Sequence, residues 1–188
     1  MKRTAALLAV LLLLLPVACS EGDGNEDLLN QFPREAEFCC TPTSVIAGGQ
    51  VELRQVGSGT GKLEVEVWVR GVTNLWALAF TLEYDPTIIR FDSAEALDFL
   101  GPDSEVSLVA SEPPGRTDQV MVGITRLATP PAARTGKTGT GAVLRLSFDL
   151  EGVGETDFRF VPNTAGMDPN NLVILDSTHF FDGTVTTR

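Results

Sequence analysis

Residues 76–86 read WALAFTLEYDP. Trp76, Leu78, Phe80, Leu82 and Tyr84 alternate with Ala77, Ala79, Thr81 and Glu83. A period of two is that of a β-strand with one buried face, because successive side chains point to opposite sides of the pleat. The run stops at Asp85-Pro86, since proline has no N–H to give a ladder. This stretch raises two questions. One is whether Asp85 is a reactive carboxylate or a turn residue. The other is what the small outward side of the strand is for.

Outward from this strand the same pattern recurs. Lys62–Arg70 (KLEVEVWVR) turns Leu63, Val65, Val67 and Val69 inward, leaving Lys62, Glu64, Glu66, Trp68 and Arg70 outside. Further strands are expected at Gln50–Arg54, Ile88–Ser93, Val106–Ala110, Gln119–Arg126, Ala142–Glu151, Thr156–Val161, Leu172–Leu175 and Phe180–Thr186. Gly, Pro, Asn, Asp and Ser crowd the connections, as in GSGTG (57–61) and PNTAGMDPNN (162–171). Only Ser93–Leu100 has a helical look, and there is no βαβ alternation or internal repeat. Many short strands separated by turns, each with one polar face, predict an all-β sandwich of two sheets.

The N-terminus reads differently. Lys2 and Arg3 precede an unbroken apolar run of 11 residues, Ala5–Leu15, and then PVACS. A basic start, a short apolar stretch and small residues at a cleavage point make an export signal. The run is too short to span a membrane, which takes about 20 apolar residues. Leu15, Ala18 and Cys19 also resemble a bacterial lipobox, with Pro16 as its one departure. That resemblance implies cleavage before Cys19, a lipid on its sulfur, and an extracytoplasmic protein held at the outer membrane or cell surface. The expected organisation is a signal peptide over 1–18, an acidic tether over 19–44 and one domain over 45–188.

Charge and cysteine content narrow the functions. Removing Lys2 and Arg3 with the leader leaves 12 basic against 25 acidic residues. A body of net charge −13 repels a phosphate backbone, so no nucleic-acid partner is expected. Cys39 and Cys40 are adjacent, which leaves a vicinal bridge, free thiols or a link to another chain. No Cys or His spacing suits a metal, and no cofactor or metal site is expected.

Three pieces of the sequence together resemble the cohesin domain family. GVTNLWALAFTLEYDPTIIRF (71–91) is similar to its signature, through Gly71, Val72, Phe80, Tyr84, Asp85, Pro86 and Ile89. GTGAVLRLSFDLEG (139–152) and FFDGTVTT (180–187) resemble its later strands in the same order. The resemblance implies a nine-stranded jelly-roll β-sandwich, related in fold to carbohydrate-binding modules, and a module that is not an enzyme. It also implies a protein partner, dockerin in the best-known members, or a polysaccharide. Dockerin-binding members carry Asn and Asp where Ala77 and Ala79 stand here, and alanine cannot make those hydrogen bonds. The outward face of the signature strand, Ala77, Ala79, Thr81 and Glu83, is the candidate binding surface, extended by Met121, Gly123 and Thr125. Trp68, outward on its own strand, is a candidate to stack on a sugar.

Other motifs carry less. TGKTGTG (135–141) lacks the first glycine of a phosphate loop, since Pro131 stands there, and reads as a flexible loop. DGNED (23–27) lacks the glycine and glutamate of a calcium loop, where Leu28 and Arg34 stand. MDPNN (167–171) offers oxygen ligands but reads as a turn. His179 is the single histidine, and no nucleophile elbow accompanies it. The expected role is recognition, not catalysis; the one enzymatic alternative is a small glycoside hydrolase built on two of the carboxylates. A structural envelope lipoprotein linked through Cys39 or Cys40 is the other alternative.

Overall fold

The computed structural model describes residues 35–39, 42, 44–127 and 134–188. Among these lie twelve strands: β1 (Ala36–Cys39), β2 (Gln50–Gly59), β3 (Lys62–Leu75), β4 (Ala77–Glu83), β5 (Ile89–Ala96), β6 (Val106–Ser111), β7 (Gln119–Arg126), β8 (Lys137–Leu150), β9 (Gly154–Phe160), β10 (Ala165–Met167), β11 (Val173–Leu175) and β12 (Gly183–Thr187). Two 3₁₀ turns, Asp103–Glu105 and Ser177–His179, complete the regular structure among the described residues.

The strands form two antiparallel sheets. The smaller runs β2-β3-β8-β5. The larger is centred on β4, which pairs with β7 on one edge and with β10 and then β9 on the other. β6 extends it beyond β7, β11 beyond β10, and β12 and β1 beyond β9. The inward positions of both sheets interdigitate. Leu63, Val65, Val67 and Val69 of β3 and Leu78, Phe80 and Leu82 of β4 are all buried, as their alternation predicts. Phe148 and Phe158 meet from opposite sheets with ring centroids 4.9 Å apart, and Tyr84 closes on Phe148 edge-on at 5.4 Å. Each such side chain contributes about 1.5–3 kcal/mol by leaving water, so this shared core fixes the register of both sheets.

Several expectations are corrected. The helical look of Ser93–Leu100 does not produce a helix: β5 continues to Ala96, and a turn follows. TGKTGTG is not a free loop. Its residues from Lys137 onward are the first part of β8, pairing with the far end of β3 at Leu75 and Val72. β3 reaches that far because Asn74 takes a positive φ of 60° and its Oδ1 accepts the Gly136 N–H at 2.9 Å. Trp76 is not in the core. Leu75 takes the fully buried place, and Trp76 sits half-exposed with the Arg126 guanidinium 5.6 Å from its ring centre.

The expected tether contains structure as well. β1 lies within it, paired with β12 from Ala36↔Thr187 to Cys39↔Thr184. Ala36 is buried, and Phe38 packs against Phe158 at 6.3 Å. The domain therefore begins before residue 45. Cys39 is disulfide-bonded. The other cysteines, Cys19 and Cys40, lie outside the described residues, as do the expected signal peptide and the expected tether up to residue 34.

Candidate functional site

Asp85 is a turn residue. Its carboxylate accepts the Thr87 N–H at 2.9 Å and the Thr87 hydroxyl at 2.7 Å, and its carbonyl accepts from Ile88 and Ile89. The Thr87 hydroxyl and amide hold the carboxyl below the ordinary range, so it stays ionised as a cap rather than poised to move protons. Tyr84 beside it is locked into the fold. Its hydroxyl donates to Glu112 Oε1 at 3.1 Å, and burial, then the Glu112 charge, pushes the phenol up.

The outward side of β4 is where surface is available. Cross-strand pairing sets Ala77 beside Thr125, Ala79 beside Gly123, Thr81 beside Met121 and Glu83 beside Gln119. All seven candidate positions thus share one face: Ala77, Ala79, Thr81, Glu83, Met121, Gly123 and Thr125. Three strands that sequence reading did not assign to it enlarge the face. β6 adds Ser107, Val109 and Ser111, paired with Thr125, Gly123 and Met121. β10 adds Ala165 and Met167, paired with Ala79 and Ala77, and β11 brings Val173 beside Met167. Only the small residues of NTAGM hinted at β10; the segment reads as a loop because three residues carry no visible period.

The result is a surface with an uncharged row in register across four strands, Val109–Gly123–Ala79–Ala165, whose last three members are glycine and alanine. Apolar side chains stand around it: Val109 is 64% exposed, Val173 59% and Met121 44%. The centre holds no charge. Charge appears at one end, where Glu83 pairs in register with Arg159 and lies 3.7 Å from Arg116, itself bonded to Asp118 at 2.7 Å. The face is thus uncharged and largely apolar over most of its extent, with charged residues at the Glu83 end.

On the opposite face, that of the small sheet, the first part of β2 is covered. Gln50 and Glu52 have no exposure although they point away from the core. Glu52 accepts from Gln50 Nε2 at 2.7 Å, Arg54 Nε at 2.8 Å and Arg70 at 3.4 Å, while Arg70 also reaches the Pro42 carbonyl at 3.1 Å. Trp68 does point outward, as its parity predicts. Its indole N–H donates to Glu66 Oε2 at 2.8 Å and the Arg54 guanidinium stacks over its ring at 4.1 Å. One ring face is thus already occupied by a cation.

The remaining motifs are structural. Asp168 of MDPNN is buried, accepting the N–H groups of Asn170 at 2.8 Å and Leu172 at 2.9 Å. Its oxygens are spent on its own turn. His179 Nδ1 lies 2.8 Å from Asp176 Oδ1 in the cap of a 3₁₀ turn. No cluster of three or more His, Cys, Asp or Glu able to hold a metal occurs among the described residues.

No family model and no curated protein matches the sequence. Solved structures do match. In a CaDoc0917–CaCohA2 complex the TM-score is 0.61 at 16% identity, over 74% of this chain and 99% of that one; CaCohA2 is from Clostridium acetobutylicum. The sixth cohesin of Acetivibrio cellulolyticus scaffoldin B, in complex with a Cel5 dockerin mutant, matches at 0.57 and 15% identity, over 73% and 97%. A non-cellulosomal cohesin from the archaeon Archaeoglobus fulgidus matches at 0.54 and 11%, over 72% and 88%. The chain has the cohesin fold, a two-sheet β-sandwich.

Proposed function

We propose that this protein is a non-catalytic recognition module that docks a partner protein on the outward face of β4 and its neighbours. The observation that carries the reading is the in-register row Val109–Gly123–Ala79–Ala165, which leaves a broad, uncharged surface on preformed strands. A preformed face binds with little ordering cost. Same-fold structures in complex with dockerins support a protein partner of that general kind. Alanines at 77 and 79 place apolar packing, rather than hydrogen bonds, at the centre of the contact. We read the lipobox-like Leu15-Pro-Val-Ala-Cys19 as the anchor that would hold the module outside the cytoplasm, where capture of polysaccharide-degrading proteins is its most coherent use. Direct sugar binding through Trp68 is the weaker reading, because Arg54 already covers that ring.

Two immobilised proteins test this, the natural sequence and an Ala79→Arg/Gly123→Arg variant of equal thermal stability. Binding of a dockerin panel to the first and not the second supports the proposal. Equal binding to both, or binding to neither, overturns it.

A further inference from the structure

Gly123 stands in the middle of β7, paired with Ala79 of β4 on one side and with Val109 of β6 on the other. A glycine inside a strand weakens it, because its backbone loses more freedom on folding and no side chain packs in return. Other glycines have reasons within the chain. Gly71 and Gly139 take a positive φ. At Gly136, Gly166 and Gly183 a Cβ would stand 2.2, 2.8 and 2.1 Å from other atoms. Gly123 meets neither condition: its φ is not positive, and a Cβ there would have nothing within 4 Å. Gly59 shares both properties, but it is the last residue of β2, at the mouth of the hairpin that turns through Gly61. An interior strand glycine with no internal cause marks a place where something from outside comes close to the backbone.

The bare position leaves a vacancy with defined walls. Val109 and Ala79 flank it about 9–10 Å apart, two strand spacings. Met121 and Thr125 bound it along β7, on the same outward face. Val109 and Met121 are 64% and 44% exposed, so these walls rise from the surface. The space is one side chain wide and none of its four neighbours is charged. Its one hydroxyl, on Thr125, already donates to the Arg126 carbonyl at 3.3 Å. A polar group pressed in here loses water and finds no partner, whereas an apolar one gains by burial.

We infer that Gly123 is a socket for one aliphatic side chain, Leu, Ile or Met, of the docked partner, and that the vacancy sets which partners fit. The inference rests on the docking face proposed above and names the contact at its centre. An aliphatic anchor seated between Val109, Met121 and Ala79, on bare β7 backbone, has the form of a buried hot spot. A side chain at position 123 withdraws that room while it strengthens the strand. Stability and binding therefore pull in opposite directions at this residue, which a glycine serving only the fold does not do.

The test measures both on Gly123→Ala and Gly123→Val. Each should raise Tm by about 1–4 °C. Each should also bind more weakly the dockerin that the natural protein binds best in the panel, Gly123→Val by at least about tenfold. An alanine scan of that dockerin's aliphatic residues should then find one whose truncation weakens binding to the natural protein about tenfold and leaves binding to Gly123→Val unchanged. A Tm below that of the natural protein in both variants overturns the inference, because the glycine then serves the fold. Binding by Gly123→Val within about twofold of the natural protein also overturns it, as does a scan in which no aliphatic residue couples to position 123. Those results leave the docking face standing if Ala79→Arg/Gly123→Arg abolishes binding. If no dockerin of the panel binds the natural protein, face and socket fall together.

Discussion

Gln55 holds Phe38 from the opposite sheet: its side-chain carbonyl accepts the Phe38 N–H at 2.8 Å. Its amide donates to the Ala36 carbonyl, also at 2.8 Å, so one side chain of β2 stands in for a strand along the free edge of β1. Four residues paired on a single edge make a marginal strand, and the clip supplies what a second partner would. Gln55→Ala should cost about 1–2 kcal/mol. It should also raise amide exchange at 36–39 well above that of β9. Gly183→Ala tests the same contact differently, since a Cβ there would stand 2.1 Å from Phe38 Cζ. It should release β1 with Gln55 intact. Slow exchange at 36–39 in both variants would refute the clip.

Glu52 gives the sharpest stability prediction. Its carboxylate is fully buried on the outward side of the small sheet and serves Gln50, Arg54 and Arg70 at once. Glu52→Ala leaves two partly exposed guanidinium groups without their shared anion and Gln50 without its acceptor, which should cost about 1–3 kcal/mol in urea unfolding. A loss under about 1 kcal/mol would show that water reaches the pair.

Gly136 tests the extension of β3 and β8. A Cβ at this position would lie 2.2 Å from the Asn74 carbonyl oxygen, a backbone atom that cannot step aside. Gly136→Ala should therefore separate the chain from Asn74 and raise exchange at 72–75. The far core, around Phe148, should stay protected.

Acid should weaken the fold in a defined window. Hydrogen bonds hold the carboxyls of Asp85 and Asp168 below the ordinary range, from Thr87 in the first case and chiefly the Leu172 amide in the second. The Thr178 hydroxyl, then His179, lowers Asp176 to about 2. A carboxyl depressed in the folded state stabilises it at pH above the unfolded value of about 4, and that contribution is lost as pH falls through the folded value. Tm should stay level from pH 7 to about 5 and drop between about 4 and 2. Asp176→Asn should remove part of the drop. A Tm constant down to pH 2 would contradict the assignment.

Alternation made the sandwich legible wherever strands were long. Leu63 to Val69 and Leu78 to Leu82 declared their buried faces, and the outward set of β4 followed from parity. β1 and β10 stayed hidden because three or four residues show no period, and their pairing comes from distant partners: β12 for Ala36–Cys39, β4 for Ala165–Met167. Burial of Gln50 and Glu52 was hidden too. Nothing local marks an outward polar residue as covered, since the cover is supplied by other residues, Ile46 donating to Gln50 and Pro42 accepting from Arg70.

The row Val109–Gly123–Ala79–Ala165 draws its members from four separate stretches of chain, and none of them is a core position. Each can change without disturbing Leu78, Phe80 or Val122 behind it. Under the proposed docking, binding and folding would rest on alternate residues of the same strands, so a single substitution on the outward set could alter the contact while the scaffold persists. A fold shared at 16% identity is what such a division permits.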